Sequence, residues 1–489
     1  KFLSLSEERS RAGPLRKGDQ VMAEGGIAKR PVPQVPLLYR LLYRSYARGS
    51  DLSVSLNRRV TAAGWVVLAL LLLTAILGVD LSKSTLYQIF SLVFGVLVVS
   101  LLWSWSRRAR LSARRELPRY ATVGESFPYM VTVTNEGRRP VRGFLLSECA
   151  PDARPSLPNF AFTPEPGEGE RNAFDRFFVY YRWRWLLEQR LLFESEDRGE
   201  HRTVRPRESL RTLLHLKPRR RGVVRLNDLR VRLPDPFGLF QRCRKVEAGG
   251  DALVVFPRRY RLPDLDLPGE ACLQPGGEAV SNTIGQSGEF LGLRDYRSGD
   301  ALRRIHWKGW AKTGRPIVKE FENMDFPRYG LVLDNFTEEG DENLFEETVA
   351  VAASFACSID TRRSMLDLMF IRDEAIVVKA GRGEARAEKL LEVLAGVEAE
   401  PEEHLDDLER LVKRHGDRLT ACICVFTGWT SGRARFLRHL VSAGMEVMPF
   451  ILCRCASETK AMIDADPLPC RHLLLEPPNV QEGLLKLQP

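Results

Sequence analysis

The 489 residues contain no phosphate-binding Gly-Lys-Ser or Gly-Lys-Thr loop, no His-Glu-x-x-His helix and no dinucleotide fingerprint. The chain is therefore expected to consume no nucleotide itself and to hold no peptidase-type zinc. A cysteine framework is missing too: nine Cys, an odd number, fall mostly in the second half without regular spacing. Thiols so placed are expected to stay reduced, as in a cytosol, with no structural disulfide. Cys422-x-Cys424 and Cys453-x-Cys455 have one intervening residue each, whereas structural zinc sites more often have two or more. Period two puts each pair on one strand face, which favours buried free thiols.

Charged residues are missing from two long stretches, Val60 to Val79 and Leu86 to Ser106, separated by Asp80 to Thr85. A helix needs about 20 such residues to cross a ~30 Å hydrocarbon layer, so the two runs predict a transmembrane helical hairpin. Arg58 and Arg59 precede the first run, and Arg107, Arg108, Arg110, Arg114 and Arg115 follow the second. By the positive-inside rule both ends, and with them the soluble parts, are expected on the cytoplasmic side of the cell membrane. Trp65, Trp103 and Trp105 suit interfacial anchors.

The formal net charge is +10, and much of the excess flanks the apolar runs. That distribution favours an anionic lipid surface as partner over nucleic acid. Residues 1–59 read as a basic leader, in which Leu37, Leu38, Leu41 and Leu42 recur with Arg40, Arg44 and Arg48 at spacing four. Such a helix can lie along a membrane or dock on the protein. Met22 precedes a more coherent stretch than Lys1 does, so residues 1–21 are expected to be a non-native extension.

From 107 to 245 the hydrophobic period becomes two. Tyr129, Val131 and Val133 alternate with Met130, Thr132 and Thr134, and Asn135-Glu136-Gly137 supplies a hairpin turn. Leu210 to Leu216 and Val223 to Leu233 add strands, and together they predict a β-sandwich domain. An insert near 171–200 places Phe174, Phe177, Phe178, Tyr181 and Trp185 on one helical face, expected to be core. Interleaved arginines leave stacking on nucleobases as the lesser reading.

From 325 to 489 strands and helices alternate: Gly330 to Leu333, Leu344 to Ser358, Leu366 to Ile371, Ala385 to Leu394, Ala421 to Phe426, Arg433 to Ala443 and Val447 to Leu452. That order predicts a parallel sheet covered on both faces, a Rossmann-type α/β domain with ligands at the carboxyl ends of its strands. Asp334 occupies such an end.

The segment 246–324 carries the densest chemistry. A helix beginning near Ala301, capped by Ser298 or Asp300 and stopped by Gly314 and Pro316, is expected to lead into a strand at Ile317. Arg294, Arg297, Arg303, Arg304, Lys308, Lys312 and Arg315 face Glu289, Asp295, Asp300, Glu320 and Glu322, which predicts an ion-pair network fixing a loop. His306 beside Trp307 invites an acid–base reading, a membrane-associated hydrolase or transferase, but no nucleophile with an orienting carboxylate accompanies it.

Gly288-Glu289-Phe290, Leu293-Arg294-Asp295-Tyr296, Gly299-Asp300, Arg304-Ile305-His306-Trp307-Lys308 and Ala311, with Asp235-Pro236-Phe237-Gly238-Leu239-Phe240 upstream, resemble domain-of-unknown-function family fifty-eight. The resemblance implies a bacterial or archaeal multidomain membrane protein with a β-sandwich and a C-terminal von Willebrand factor A-like domain. It also implies work beside a MoxR-type AAA+ ATPase, with transglutaminase-like and further von Willebrand-type membrane proteins as associates. Glu289, Arg294, Tyr296, Gly299, Asp300, Ile305, His306, Trp307, Lys308 and Ala311 would then shape an interaction surface, with Asp334 near a second. A metal-binding A domain presents Asp-x-Ser-x-Ser, but here Phe336 and Glu338 hold the serine positions, so no metal site or other cofactor is expected. A scaffold or adaptor in complex assembly, chaperone or stress work is the leading expectation.

Overall fold

A computed structural model describes residues 35–77, 84–106, 109–196, 201–263, 290–297, 300, 302, 305–321, 327–337, 341–359, 364–372, 374–380, 385–401, 404–416 and 418–486. The expected extension 1–21, Glu289, Gly299 and Ala301 lie outside these.

The basic leader forms the helix Leu37–Arg59, longer than its leucine pattern suggests. Its Tyr39, Tyr43 and Tyr46 pack on Phe160 and Trp183, with edge-on ring centroids 5.6–6.2 Å apart. Tyr43 donates to the Pro155 carbonyl at 3.0 Å and Tyr46 to the Phe178 carbonyl at 2.7 Å. The helix thus docks on the protein, while Leu37 and Leu41 stay exposed.

Two apolar helices follow, Ala62–Leu77 and Ser84–Ser106. Among the described residues the stretch Tyr87–Ser106 is long and apolar enough to cross a membrane, whereas Ala62–Ile76 is shorter than a span. The two helices pack together.

The next strands build a β-rich unit of three sheets. A five-stranded sheet runs Glu247–Ala248, Leu111–Glu116, Phe127–Asn135, Ser209–Pro218, Phe193–Glu196. A four-stranded sheet runs Gln241–Lys245, Leu229–Pro234, Val141–Glu148, Arg202–Val204, and a three-stranded one Tyr120–Thr122, Asp251–Phe256, Gly222–Leu226. The alternation works as read: Tyr129, Val131 and Val133 are buried against Phe144, Leu146, Val231 and Leu233, and Met130, Thr132 and Thr134 are not. Two details differ. Asn135-Glu136-Gly137 joins strands of different sheets, so it closes no hairpin. Val223 to Leu233 is two strands in separate sheets, because Asn227-Asp228 turns the chain between them.

The insert also departs from expectation. A left-handed Val179, φ +48°, breaks it into Ala173–Phe178 and Tyr180–Arg190. Trp183, Leu186 and Val179 take the core with Phe160, whereas Phe174 and Phe177 are exposed at 70% and 55%. A single helical wheel could not foresee that break.

The C-terminal sheet has six strands in the order Glu374–Ala380, Met365–Arg372, Arg328–Leu333, Ala421–Thr427, Glu446–Leu452, Leu473–Leu475. All neighbours are parallel except the antiparallel edge strand Glu374–Ala380. Glu342–Ser358, Ala385–Ala395 and Val480–Leu485 cover one face, burying Val349, Leu390 and Leu484 on Leu331, Ile423 and Phe450. Leu405–Gly416, Ser431–Ser442 and Ala456–Ala465 cover the other, with Leu408, Phe436 and Ile463 on Val332, Cys422 and Cys424. Sheet-strand residues therefore alternate between two apolar layers, which is why these strands read as continuous apolar runs.

The β-rich and α/β units pack against each other. Phe256 and Tyr260 belong to the α/β core, and the Tyr260 N–H donates to Ser354 at 2.7 Å. Arg221 donates to the Leu394 and Val397 carbonyls at 3.2 and 2.7 Å and pairs with Glu346. Burial pulls its guanidinium below the ordinary arginine range, which Glu346 opposes.

Candidate functional site

The motif segment is an antiparallel pair of strands, Phe290–Asp295 and Ile317–Phe321, whose register sets Arg294 opposite Val318 and Asp295 opposite Ile317. Arg294 and Asp300 form a two-pronged ion pair with both contacts at 2.8 Å, and the Arg297 N–H donates to the same carboxylate at 2.8 Å. These donors, the Arg294 guanidinium first, hold the Asp300 carboxyl down at about 2. Tyr296 and His306 anchor the loop ends by donating their N–H groups to the Pro316 and Ile317 carbonyls at 2.9 and 2.8 Å. Ile305, bridged to Val318 and buried with it, is the small core beneath. The ion-pair reading of Arg294 and Asp300 thus has a geometry: it closes the loop.

The expected helix starts later than its sequence suggests, as Trp307–Thr313, and its cap is His306 in place of Ser298 or Asp300. The His306 Nδ1 accepts the Gly309 N–H at 3.0 Å. A β-carbon at Gly309 would sit 2.6 Å from that nitrogen, so the cap requires glycine there. Gly314, φ +70°, ends the helix as read. With Nδ1 committed as an acceptor, His306 acts as a local lock. The acid–base reading gains no second catalytic group among the described residues.

Above this lock Trp307 and Trp310 stack, with centroids 5.4 Å apart and planes 18° from parallel. Trp307 is 63% exposed. The two rings, Ala311 and Gly314 line an open depression of about 420 Å³, and Lys308 is exposed beside it. An exposed, preorganised indole pair loses little side-chain entropy when a partner covers it. Of the residues read as interaction surface, Trp307, Lys308 and Ala311 are exposed. Arg294, Tyr296, Asp300, Ile305 and His306 hold them in place.

Asp334 requires a correction. It closes the strand Arg328–Leu333 as expected, but it is fully buried and cannot belong to a contact surface. Its Oδ2 accepts Arg433 Nε at 2.6 Å and the Thr427 N–H at 3.3 Å, and Oδ1 accepts the Phe336 N–H at 3.1 Å. Thr427 donates onward to the Asp334 carbonyl at 3.1 Å and lies 3.0 Å from the Thr348 hydroxyl. Burial pushes the carboxyl up, and Arg433 with the two N–H groups opposes it. These residues do not fit a divalent cation: a fixed guanidinium stands at the carboxylate, and Phe336 contributes a buried ring.

One functional feature escaped the sequence reading. The turn Asp235 to Phe240 clamps both apolar helices. The Asp235 carboxylate accepts the Phe237 and Phe240 N–H groups at 3.1 and 2.8 Å and the Ser100 hydroxyl. Thr61 donates its N–H to the Leu239 carbonyl at 3.0 Å, and a β-carbon at Gly64 would meet that oxygen at 2.2 Å. The available signal was a serine inside an uncharged helix, which needs a partner.

Residues 292–441 match the family model described as protein of unknown function DUF58. The uncharacterized protein YeaD of Bacillus subtilis (strain 168) is 28% identical over 177 residues, which are 36% of this chain and 42% of that protein. The chain therefore matches less than half the length of this relative. Among solved structures, the CARDB domain of the Pyrococcus furiosus PF1109 protein, in complex with di-metal ions, is 12% identical with a TM-score of 0.15, covering 30% of this chain and 93% of that one. A cohesin module from a Clostridium perfringens family 33 glycoside hydrolase is 10% identical with a TM-score of 0.13, covering 30% and 98%.

Proposed function

We propose, from the match of residues 292–441 to the DUF58 family model, that the chain is a membrane-anchored, cytoplasm-facing scaffold for a MoxR-type AAA+ ATPase. The observation that carries this reading is the exposed Trp307–Trp310 stack, held by a capped helix and a two-pronged ion pair. Rigid exposed aromatics are the residue type that dominates protein interfaces. The same five parts serve as the division of labour: leader 1–59, hairpin 60–106, β-sandwich 107–245, motif 246–324 and von Willebrand factor A-like unit 325–489. The parallel sheet ending at Asp334 supports the last name, and the arginine flanks support the orientation of the two-span hairpin. Assembly, chaperone or envelope-stress work follows from the partner, and transglutaminase-like and von Willebrand-type membrane proteins are its further candidates.

Crosslinking in native membranes tests the reading. The intact chain should capture an AAA+ ATPase, and Trp307→Ala with Trp310→Ala should lose it while keeping membrane insertion and thermal stability. Equal capture by the variant, or capture of no ATPase by the intact chain, overturns the assignment.

A further inference from the structure

The end of Leu37–Arg59, the last turns of Ser84–Ser106 and the strand Gln241–Lys245 enclose a cavity of about 660 Å³. One wall is basic: Arg58, Arg59, Arg230, Arg242 and Arg244 all line it. Against them stands a single lining carboxylate, Asp51, which is paired with Arg154 at 2.9 Å. Arg230 is neutralised by Asp228, to which it donates at 2.7–3.0 Å. Arg58, Arg59 and Arg244 have no carboxylate partner among the described residues, although Arg58 and Arg244 are half-buried. Three guanidinium groups converging on one cavity repel each other unless an anion joins them.

The lining also includes an apolar wall, Val54, Leu101, Trp105 and Phe240. Leu101 lies five residues inside the helix end at Ser106, so the wall reaches about 7.5 Å along the helix at 1.5 Å per residue. A free inorganic anion would satisfy the arginines and leave this wall uncovered. A phospholipid satisfies both, with phosphate on the guanidinium groups and the first methylenes along Leu101 and Trp105.

We propose that this cavity is a binding site for the phosphate headgroup of an anionic phospholipid drawn from the leaflet at the hairpin's basic end. The site rests on the membrane reading of the hairpin. It would couple lipid charge to the Asp235 turn, since Phe240 both lines the cavity and donates its N–H to Asp235.

The test uses the full chain purified in a neutral detergent, with native mass spectrometry counting bound phosphatidylglycerol against phosphatidylcholine. Arg59→Gln with Arg244→Gln should lower phosphatidylglycerol retention about twenty-fivefold, taking roughly a factor of five for each arginine. Arg184→Gln with Arg205→Gln, away from the cavity, should leave it unchanged. Equal retention of the two lipids, or equal loss in both variants, overturns the site. Displacement of phosphatidylglycerol by millimolar inorganic phosphate would assign the cavity to free phosphate and overturn the lipid. Alkaline carbonate extraction of the same chain reports the membrane reading separately: release into the supernatant would sink the hairpin whatever the lipid count says.

Discussion

Arg433→Met is the sharpest perturbation the fold offers. The guanidinium donates from Nε to Asp334 at 2.6 Å and from a terminal nitrogen to the Phe336 carbonyl at 2.9 Å, with both charged side chains at least 95% covered. Methionine fills similar volume but leaves Asp334 with two backbone N–H groups at 3.1 and 3.3 Å and no countercharge. Removing one member of a buried pair costs about 3–5 kcal/mol, because the survivor keeps its desolvation penalty. At 1.4 kcal/mol per tenfold, that is about two to three and a half decades of lost stability.

Hydrogen exchange read by mass spectrometry localises the effect. Peptides covering Arg328–Leu333 and Ala421–Thr427, the strands that end at the pair, should lose protection by that factor. Peptides from Phe127–Asn135, in the other core, should not. Adding Asp334→Leu removes the stranded charge, and replacing both members of such a pair by apolar groups is often neutral or stabilising, so the double variant should recover most of the loss. A single variant within half a decade of the parent, or a double variant no better than the single, would refute the view that Arg433 and Asp334 form one charge-balanced unit.

Three further outcomes follow from local geometry. Gly64→Ala should destabilise by about 1–3 kcal/mol despite alanine's better helix propensity, because its β-carbon meets the Leu239 carbonyl at 2.2 Å; Gly95→Ala, with nothing within 4 Å, should not, and thermal unfolding in detergent compares them. Asp300 titrates at about 2 when folded against about 3.9 unfolded, so its depressed value contributes stability above pH 4 that is lost as pH falls toward 2. Protection of amides in 290–297, corrected for intrinsic rate, should fall across that window in the parent, and a flat profile would contradict the closed loop. Among the described cysteines, native alkylation at pH 8 should reach Cys455 first, since hydrogen bonds from Ser457 and the Glu458 N–H lower its thiol. Burial pushes Cys422 up to about 12 and also raises Cys424 well above the ordinary thiol range, so neither should react before unfolding.

The C-terminal unit was legible almost strand by strand, because a parallel sheet buried on both faces writes itself as short apolar runs such as Ala421 to Phe426. What escaped there were the edge strands Glu374–Ala380 and Leu473–Leu475 and the helices Leu405–Gly416, Ala456–Ala465 and Val480–Leu485, none of which carries a long apolar run. In the β-rich unit the alternation at Tyr129, Val131 and Val133 was readable, but sheet membership was not, since period two says which face is buried and nothing about which strand lies alongside. The motif helix was misplaced by six residues for a related reason. Ser298 and Asp300 are better generic caps than His306, yet the Arg294 fork had already engaged Asp300. Local preference lost to a contact six residues back in sequence that only the folded loop creates.

The contacts that were hardest to read are also those that join the parts into one lever. Ser100, Asp235 and Phe240 tie the apolar hairpin to the four-stranded sheet through the strand ending at Pro234. Arg221 and Tyr260 then tie the β-rich unit to the helix Glu342–Ser358 and to the turn after Ala385–Ala395. Ser100 and Asp235 join through buried side chains, whereas Phe240, Tyr260 and Arg221 use backbone groups, and such covered hydrogen bonds fix position more firmly than exposed ion pairs do. A displacement at the hairpin therefore has a continuous path of packed contacts to the sheet that ends in Asp334, with no flexible linker intervening in the described residues. Asp235→Ala separates mechanical coupling from simple anchoring. If the hairpin is membrane-inserted as proposed and the turn is the joint, this variant stays in the membrane, yet its α/β unit becomes more accessible to a limiting protease while the Arg328–Leu333 core keeps its hydrogen-exchange protection. Unchanged proteolysis would mean that the hairpin is a tether and that the motif segment acts without it.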